Sequence, residues 1–372
     1  MRIVSVVGTR PQLIKAAALF PSLRARHEEV FVDTGQHWDD SMAGDFFVEL
    51  GLPQPDHALG IGGGTSAEQV GRMLPAIARI LVDERPDAVL VYGDTNSTLA
   101  GALAAATTGV PVAHVEAGLR SFDRRMPEET NRVLTDHVSR WLFAPTPTAV
   151  ANLAGEGIRD GVVLVGDLMQ GLAARVSAEV RDGDTVLPLI GRRLGVDLTP
   201  GGYLFATIHR AENRSPAAIR AWAATLANAA RPDRPVVLAL HPGTGEALER
   251  LGLPIGESVR VVAPLDYRST IALQLHAAAV LTDSGGIQRE AAWLGVPCLV
   301  LRGTTEWTEA VEGSGGSMVV VGLDPGAAAA ALNRLAPPGS STDQARQRAA
   351  GLALAGAGAA EAIVAALEAT PP

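Results

Sequence analysis

The stretch VLTDSGGIQRE, residues 280–290, carries the clearest structural signal in this chain. An apolar run at 279–281 is typical of a short buried strand, Ser284-Gly285-Gly286 forms a small-residue turn, and 287–292 continues as a helix. The first N–H groups of such a helix lack partners and lie at the positive end of its dipole, and glycine lets an anion approach the backbone. The pattern therefore predicts a phosphate site at Ser284, Gly285 and Gly286, with Glu290 placed to bind two sugar hydroxyls. Any βα turn also favours Ser and Gly, so the turn alone leaves both interpretations open.

Short apolar strands alternate with helices along the rest of the chain, without hairpin signals. The expected strands are at 2–8, 29–35, 88–94, 110–118, 141–146, 161–167, 203–209, 236–241, 259–264, 279–283, 297–302 and 318–322. Helices are expected between them, including one across 41–50 and a final helical region that opens at 340–341. Strands joined by helices require right-handed crossovers and a parallel sheet, so the fold class is α/β and doubly wound.

The length of 372 residues and the strand pattern predict two domains. Residues 1–170 are expected to form an N-terminal Rossmann-like domain and 201–352 a C-terminal one. Residues 171–200 carry no strand pattern and are expected to be a helical connection. The last segment, 353–372, is expected to be a helix that packs back on the N-terminal domain.

The bulk composition excludes several classes of protein. A net charge of −9 argues against unspecific nucleic-acid binding, which needs a basic surface. The single cysteine, Cys298, lies in an apolar run and is expected to be an inert core residue. No apolar stretch reaches membrane-spanning length, and Met1-Arg2 leads directly into a strand, so we expect a soluble cytoplasmic protein with no membrane partner.

No cofactor is expected from the motifs. The eight histidines do not fall in metal-ligand spacing with cysteines or acids, so no metal site is predicted. The GxGxxG fingerprint is absent after the first strand, which argues against a nicotinamide enzyme.

Ligands of doubly wound sheets bind outside the carboxyl ends of the strands, and ionisable residues recur there. Asp94 and Glu116 each follow an apolar strand and are expected to be partly buried, where desolvation and a neighbouring carboxylate would separate their pKa values into an acid and a base. Asp94 could instead be the N-cap of the next helix. Glu128 and Glu129 follow Pro127, and their spacing alone favours a solvated helix N-terminus.

Three basic residues lie at other strand ends. Arg10 and Lys15 follow the first strand and are either solvated surface charges or a pair of cations that face phosphate. His209 could be a core histidine, but the run at 209–213 is too polar for a core.

Several motifs together resemble one family, the non-hydrolysing UDP-N-acetylglucosamine 2-epimerases. They are GTRPQLIKAA (8–17), VYGDTNSTLAGALAA (91–105), HVEAGLRS (114–121), PEETNR (127–132), HRAEN (209–213) and TDSGGIQREA (282–291). The resemblance extends in unbroken order from Met1 to about Gly322. It implies a GT-B-like pair of Rossmann-type domains with a cleft between them, usually a homodimer. It also implies interconversion of UDP-GlcNAc and UDP-ManNAc without an organic redox cofactor.

The resemblance also implies roles for the catalytic residues. Asp94, Glu116 and Glu128 would serve proton transfer at sugar C2 and bind the sugar hydroxyls, which lifts Glu128 from the solvated interpretation to a functional one. His209 would serve the diphosphate leaving group.

The residues that bind substrate follow in the same way. Arg10 and Lys15 would lie near the diphosphate, Ser284, Gly285 and Gly286 would hold phosphate, and Glu290 would hold the uridine ribose.

The chain departs from the family pattern in places that bear on substrate and regulation. Many members carry an arginine within the segment that reads Thr305-Glu306-Trp307-Thr308-Glu309 here. The segment 35–40 lacks the usual Ala-Gln-His-Arg, so we do not expect allosteric activation by substrate.

Three tracts, 34–42, 114–129 and 304–309, resemble most closely a subgroup that acts on UDP-2,3-diacetamido-2,3-dideoxyglucuronic acid. Members of that subgroup often carry two arginines in the segment that reads His-Pro-Gly-Thr-Gly at 241–245 here. If those arginines serve the extra carboxylate, their absence favours the neutral sugar. The main prediction is a UDP-GlcNAc 2-epimerase. The alternatives are the diacetamido-uronate epimerase, a hydrolysing epimerase, a GT-B glycosyltransferase and a catalytically degenerate UDP-sugar-binding regulator.

Overall fold

The fold is described by a computed structural model that covers residues 1–36, 47, 50–240, 242–305, 307–335 and 358–369. The chain forms two compact units, Met1–Leu172 with Ala357–Pro372, and Ala173–Gly356. Most of the helix predicted across 41–50 and the start of the helical region predicted at 340–341 lie outside the described residues.

The first unit contains a seven-stranded, entirely parallel sheet in the order β3-β2-β1-β4-β5-β6-β7. Its strands are β1 (Arg2–Val7), β2 (Glu28–Asp33), β3 (His57–Ala58), β4 (Ala88–Tyr92), β5 (Val112–Val115), β6 (Trp141–Ala144) and β7 (Val162–Leu164). The helices between them are α1 (Arg10–Arg24), α2 (Ser66–Glu84), α3 (Asn96–Thr108), α4 (Pro127–Val138) and α5 (Pro147–Gly155). The helix α6 (Leu168–Glu179) then crosses the boundary between the units.

The second unit contains a six-stranded parallel sheet in the order β10-β9-β8-β11-β12-β13. Its strands are β8 (Leu204–Ile208), β9 (Val236–Leu240), β10 (Val259–Val262), β11 (Ala279–Thr282), β12 (Cys298–Val300) and β13 (Met318–Val320). Its helices are α7 (Gly183–Leu194), α8 (Pro216–Ala229), α9 (Pro242–Leu251), α10 (Tyr267–Leu275), α11 (Gly285–Leu294), α12 (Thr308–Gly313) and α13 (Pro325–Arg334), with a short 3-10 helix at Ala211–Arg214. The prediction of two doubly wound, parallel-sheet α/β domains is confirmed.

Burial explains why the central strands are continuous apolar runs. Helices cover both faces of a parallel sheet, so neither face can be polar. The strand Ala88–Tyr92 is fully buried, as is Ala279–Thr282 in the second unit. Cys298 is also fully buried, and burial raises the pKa of its thiol to about 12, which confirms it as an inert core residue.

Both sheets reverse their strand order at one point, between β1 and β4 in the first unit and between β8 and β11 in the second. The loops that leave the two central strands diverge there and open a crevice at the carboxyl edge of the sheet. Each unit therefore has one place where its topology favours a ligand, and the predicted site residues follow these strands or their neighbours.

The elements that were not predicted include the edge strand His57–Ala58 and the helix Pro325–Arg334. The edge strand His57–Ala58 has only two residues, too few for a periodic pattern. The helix Pro325–Arg334 does carry start signals, because Asp324 accepts hydrogen bonds from the N–H groups of Gly326 and Ala327 at 2.7 and 3.0 Å and Pro325 opens the first turn. Among the helices that the structure describes, none is long and apolar enough to cross a membrane.

The last helix, α14 (Ala359–Ala369), belongs to the first unit and packs against α1. Ile363 and Leu367 are fully buried on its inner face. Two polar contacts lie at the rim, where Arg26 pairs with Glu368 at 2.6 Å and Ser22 donates to Glu361 at 3.1 Å.

We predict that Ile363→Ala lowers the free energy of unfolding by about 2–5 kcal/mol, because it leaves a cavity at a fully buried position. The matched control, Glu368→Ala, removes only an exposed ion pair and should cost about 0–1 kcal/mol. Urea unfolding measures both. Equal losses in the two variants would contradict the packing described for α14.

Candidate active site

Lys15 and Glu116 form a buried ion pair at the carboxyl edge of the first sheet. Lys15 comes from α1, Glu116 follows β5, and each side chain is about one-tenth exposed, so the interpretation of Lys15 as a solvated charge is wrong. Glu116 has a φ of +70°, in the left-handed region that non-glycine residues rarely adopt. Gly93 borders the pair at φ +65°, and a Cβ there would lie 3.1 Å from Lys15 Nζ. Glu116 therefore contributes its carboxylate from an unusual backbone conformation, and Gly93 leaves space beside Lys15 that a side chain would fill.

Asp94 lies at the end of β4 and pairs with Arg132 from α4. Its backbone carbonyl accepts a hydrogen bond of 3.0 Å from Asn131 Nδ2. Thr95, not Asp94, caps α3, through a capping box with Thr98. The N-cap interpretation of Asp94 is therefore wrong, and its half-exposed carboxylate remains at the edge of the sheet.

Glu128 and Glu129 have different environments although they are adjacent. Glu128 is exposed, whereas Glu129 is buried and accepts hydrogen bonds of 2.9 Å from the N–H groups of Ser121 and Phe122. It also pairs with Arg132 at 2.7 Å. Burial would raise the pKa of Glu129, but these hydrogen bonds and Arg132 together hold it below its ordinary value.

Glu129 thus holds the loop at Ser121 and Phe122 in place by hydrogen bonds. It also shares its ion-pair partner, Arg132, with Asp94. The sequence alone predicts both glutamates as parts of one solvated helix start. The exposure of Glu128 leaves it accessible, and its role at sugar C2 stays a prediction. Arg10, at the start of α1, is also exposed.

The corresponding edge of the second sheet is organised around Asp283, which is fully buried. Its carboxylate accepts from the N–H groups of His209 and Arg210 at 3.2 and 3.1 Å and from Asn213 Nδ2 at 2.7 Å. His209 Nδ1 lies 3.1 Å from the same carboxylate. Burial would raise the pKa of Asp283, but its partners, above all His209, hold it below the ordinary value of 3.8. Asp283 thereby joins the ends of β11 and β8.

The His209 side chain is 46% exposed, so the core-histidine interpretation is wrong. One ring nitrogen faces Asp283, and nearly half of the side chain is accessible to solvent. A carboxylate that contacts one ring nitrogen fixes the orientation of the imidazole.

The turn at Ser284-Gly285-Gly286 has the predicted geometry. Ser284 is the N-cap of α11 and accepts a hydrogen bond of 3.4 Å from the N–H of Ile287. Gly285 and Gly286 form the first turn, so their N–H groups lie at the positive end of the helix. Phosphate binding at this turn stays a prediction.

Glu290 is buried in the same helix and accepts a hydrogen bond of 2.6 Å from Gln274 Nε2. Beside it, the guanidinium of Arg289 lies over the ring of Trp307, 4.2 Å from its centroid, and 5.6 Å from that of Trp293. The segment 305–309 lacks an arginine of its own, and its tryptophan instead stacks on an arginine from α11.

Within the ranges that the structure describes, no group of three or more His, Cys, Asp or Glu side chains could hold a metal ion. Two charged residues that were not predicted as site residues, Arg120 and Asp136, are buried and pair with each other at 2.7 Å.

Two Rossmann-type parallel sheets of the same strand order, with ionisable side chains and a helix N-terminus at their carboxyl edges, define a GT-B-like α/β protein. Comparison with known sequences takes the assignment further. The chain belongs to the UDP-N-acetylglucosamine 2-epimerase family, whose family model matches residues 22–368. The resemblance drawn from the motifs is confirmed.

Individual relatives agree with this assignment. The chain is 44% identical over 317 residues to a UDP-N-acetylglucosamine 2-epimerase homolog of Methanococcus maripaludis, covering 84% of this chain and 86% of the relative. It is also 44% identical over 328 residues to the UDP-2,3-diacetamido-2,3-dideoxy-D-glucuronate 2-epimerase of Pseudomonas aeruginosa, covering 87% and 88%. The crystal structure of Methanocaldococcus jannaschii UDP-GlcNAc 2-epimerase in complex with UDP-GlcNAc and UDP matches with a TM-score of 0.77 and 35% identity, over 96% of this chain and 100% of that one.

We predict that Asp283→Asn lowers the free energy of unfolding by about 1–3 kcal/mol at neutral pH, because hydrogen bonds to a charged acceptor are replaced by weaker ones. The pKa of Asp283 in the folded state lies below its ordinary value of 3.8, so the unfolded state binds more protons than the folded state in acid. The stability that ionised Asp283 provides is therefore lost as the pH falls from the ordinary pKa through the folded-state pKa. The difference from the parent should therefore be full above about pH 5 and shrink below about pH 4.

The control is Asp324→Asn, which makes the same chemical change at the exposed N-cap of α13, where asparagine caps as well as aspartate. It should change little at any pH. Urea unfolding at several pH values measures both variants, and a pH-independent loss in Asp283→Asn would contradict the ionised state of Asp283.

Proposed function

We propose that this protein is a nucleotide-sugar 2-epimerase that interconverts UDP-N-acetylglucosamine and UDP-N-acetylmannosamine. The observation that carries the proposal is the family match over residues 22–368. The buried Lys15–Glu116 pair at one sheet edge and the N-terminus of α11 at the other support it, because they supply ionisable groups and an anion site of the kinds that the reaction requires.

The reaction is an elimination in which a carboxylate base removes the proton at sugar C2 as UDP departs from C1. The electron pair of that C–H bond forms the C1=C2 double bond, and the C1–O bond breaks with its electrons on UDP, which leaves a 2-acetamidoglucal. Return of a proton to the opposite face of C2 and of the UDP oxygen to C1 gives the epimer. The C2 proton is weakly acidic, so cleavage of C1–O must lead or accompany its removal, and stabilisation of the leaving UDP matters as much as the base.

We assign the proton chemistry to the first unit. Asp94, Glu116 and Glu128 are its carboxylates, and Lys15 and Arg10 supply positive charge near the diphosphate. The pairing of Asp94 with Arg132 and of Glu116 with Lys15 supports this assignment, because each partner restricts the rotamers that the carboxylate can adopt before substrate binds.

We assign the binding of UDP to the second unit. Ser284, Gly285 and Gly286 form the N-terminus of α11, where the positive end of the helix dipole favours phosphate, and His209, oriented by Asp283, supports the departing diphosphate. Glu290 is assigned to the ribose hydroxyls, as a carboxylate with two acceptor oxygens suits a diol.

A second substrate, UDP-2,3-diacetamido-2,3-dideoxyglucuronic acid, is supported by the 44% identity to the Pseudomonas aeruginosa epimerase of that sugar. The segment His-Pro-Gly-Thr-Gly at 241–245 favours the neutral sugar, because it offers no arginine to an additional carboxylate. We place UDP-GlcNAc first for that reason. We also propose a homodimer that works in the cytoplasm, as the family resemblance implies; sedimentation of the purified chain tests the dimer.

NMR of UDP-GlcNAc with the enzyme in D2O tests the reaction. We expect UDP-ManNAc with deuterium at C2, since the proton lost to a carboxylate exchanges with solvent before it returns. Epimer that retains protium at C2 would contradict the elimination. Parallel incubation with the diacetamido uronate assigns the substrate, and stoichiometric release of free UDP would indicate a hydrolysing enzyme.

A pair of isosteric variants tests whether proton transfer belongs to the first unit and UDP binding to the second. Asp94→Asn should reduce C2 exchange by about 10²- to 10⁴-fold, the usual worth of a general acid or base, while UDP affinity changes little. Glu290→Gln should weaken UDP binding by about 10- to 100-fold, the worth of hydrogen bonds to a charged acceptor. Calorimetry with UDP and deuterium exchange at C2 measure the two effects. The reverse pattern would show that the two assignments are exchanged.

A further inference from the structure

A network of buried charges lies behind the loops that carry Asp94 and Glu116. His114 and Asp136 are fully buried, and His114 Nδ1 lies 2.7 Å from Asp136 Oδ1. The second carboxylate oxygen, Oδ2, lies 2.7 Å from Arg120 and accepts a hydrogen bond of 3.1 Å from the N–H of Gly118. Arg120 forms a further bidentate pair with Glu156, at 2.7 and 2.8 Å. None of these residues has a role in the reaction proposed above.

The ends of the network are two backbone groups in the strand-end loops. His114 Nε2 lies 2.7 Å from the carbonyl oxygen of Gly93, the residue before Asp94. Asp136 holds the N–H of Gly118, two residues after Glu116. Gly93 and Gly118 have φ values of +65° and +81°, which glycine adopts readily, whereas the φ of +70° at Glu116 is unfavourable for a residue with a side chain and depends on contacts from the surrounding structure.

The two partners of the His114 ring are both acceptors, since one is a carboxylate and the other an amide carbonyl. Both hydrogen bonds form together only when each ring nitrogen carries a proton. Burial would raise the pKa of Asp136, but His114 and Arg120 hold it below its ordinary value.

Packing alone does not require such a network. Apolar side chains of similar volume often replace buried ion networks without loss of stability, whereas they cannot form directional hydrogen bonds to the Gly93 carbonyl and the Gly118 N–H. Directional bonds to loops that carry two carboxylates indicate a role in holding those carboxylates in place.

We propose that His114 and Asp136 are positioning residues for the C2 proton transfer, fixing the loops of Asp94 and Glu116 from behind. The inference rests on the proposed function, because it concerns the same carboxylates. A displacement of catalytic groups by about 1 Å can cost about 10²-fold in rate. The loss should therefore appear in kcat, while the UDP-binding residues in the second unit are untouched.

Two isosteric or near-isosteric variants, His114→Gln and Asp136→Asn, provide the test, with Glu156→Gln as the matched control. Glu156 belongs to the same network but contacts neither loop through a direct bond to Gly93 or Gly118. We expect kcat to fall by about 10- to 100-fold in the first two variants, with the KM for UDP-GlcNAc and the affinity for UDP changed by less than about threefold. Glu156→Gln should keep kcat within about threefold of the parent, even where its loss of unfolding free energy is comparable.

An unchanged kcat in His114→Gln and Asp136→Asn would overturn the proposal, as would an equal fall in Glu156→Gln. Nitrogen-15 NMR of the His114 ring in the parent protein is a second test, and it requires neither a variant nor catalytic turnover. Two protonated ring nitrogens are expected, and an unprotonated Nδ1 or Nε2 would overturn the proposal even if the variants fail to fold. Absence of C2 exchange in the parent protein with either sugar would instead refute the proposed function, and the NMR result would still decide the geometry of the network.

Discussion

Each unit of this protein depends on one buried aspartate that joins adjacent strand-end loops at the carboxyl edge of its sheet. Asp136 connects the loops after β4 and β5 through His114 and the Gly118 N–H, and Asp283 connects the ends of β8 and β11 through the N–H groups of His209 and Arg210. The ladder of a parallel sheet stops where its strands end, so the loops beyond need other hydrogen bonds. A carboxylate supplies several acceptor sites at one point, and burial makes every one of those bonds costly to lose.

The same constraint accounts for the ion pairs at the proposed active site. A buried charge without a partner is strongly unfavourable, so Lys15 and Glu116, and Arg132 with Asp94 and Glu129, occur as pairs or triads. In the proposed reaction, the pairs hold the carboxylates in fixed positions before substrate binds, which is the form of electrostatic preorganisation that lowers the barrier of proton transfer. In the second unit, the buried carboxylate of Asp283 contacts His209, whose side chain is partly exposed, and Asp283 directly precedes the N-cap of α11.

Much of this architecture could be predicted from residue patterns. Continuous apolar strands separated by helices define parallel sheets, and the polar residues that end those strands mark the ligand edge. Asp94, Glu116, His209 and Ser284 were predicted in this way, and the structure places each of them just after a strand. Two competing interpretations, Asp94 as an N-cap and Lys15 as a solvated charge, were wrong because a sequence pattern does not show tertiary neighbours. Thr95 caps α3 in place of Asp94, and Lys15 is buried in a pair with Glu116, which is distant in the sequence.

The network behind the site was missed for a physical reason. Asp136 lies in a helix whose other acidic residues are typical of a solvated face, and Arg120 lies in a loop where an arginine is ordinarily exposed. Glu128 and Glu129 are indistinguishable in sequence, yet only Glu129 is buried and holds the loop at Ser121 and Phe122. Such roles are defined by tertiary partners, whereas the roles of strand-end residues are defined by their position along the chain.

In the proposed reaction, UDP departs from C1 and is held until it returns. Positional isotope exchange tests this step with UDP-GlcNAc that carries oxygen-18 in the bridge between C1 and the β-phosphorus. If UDP leaves and returns, its terminal phosphate oxygens become equivalent, and phosphorus NMR should show the label in non-bridging positions of recovered UDP-GlcNAc and of its epimer. Epimer formed with all of the label still in the bridge would contradict the account.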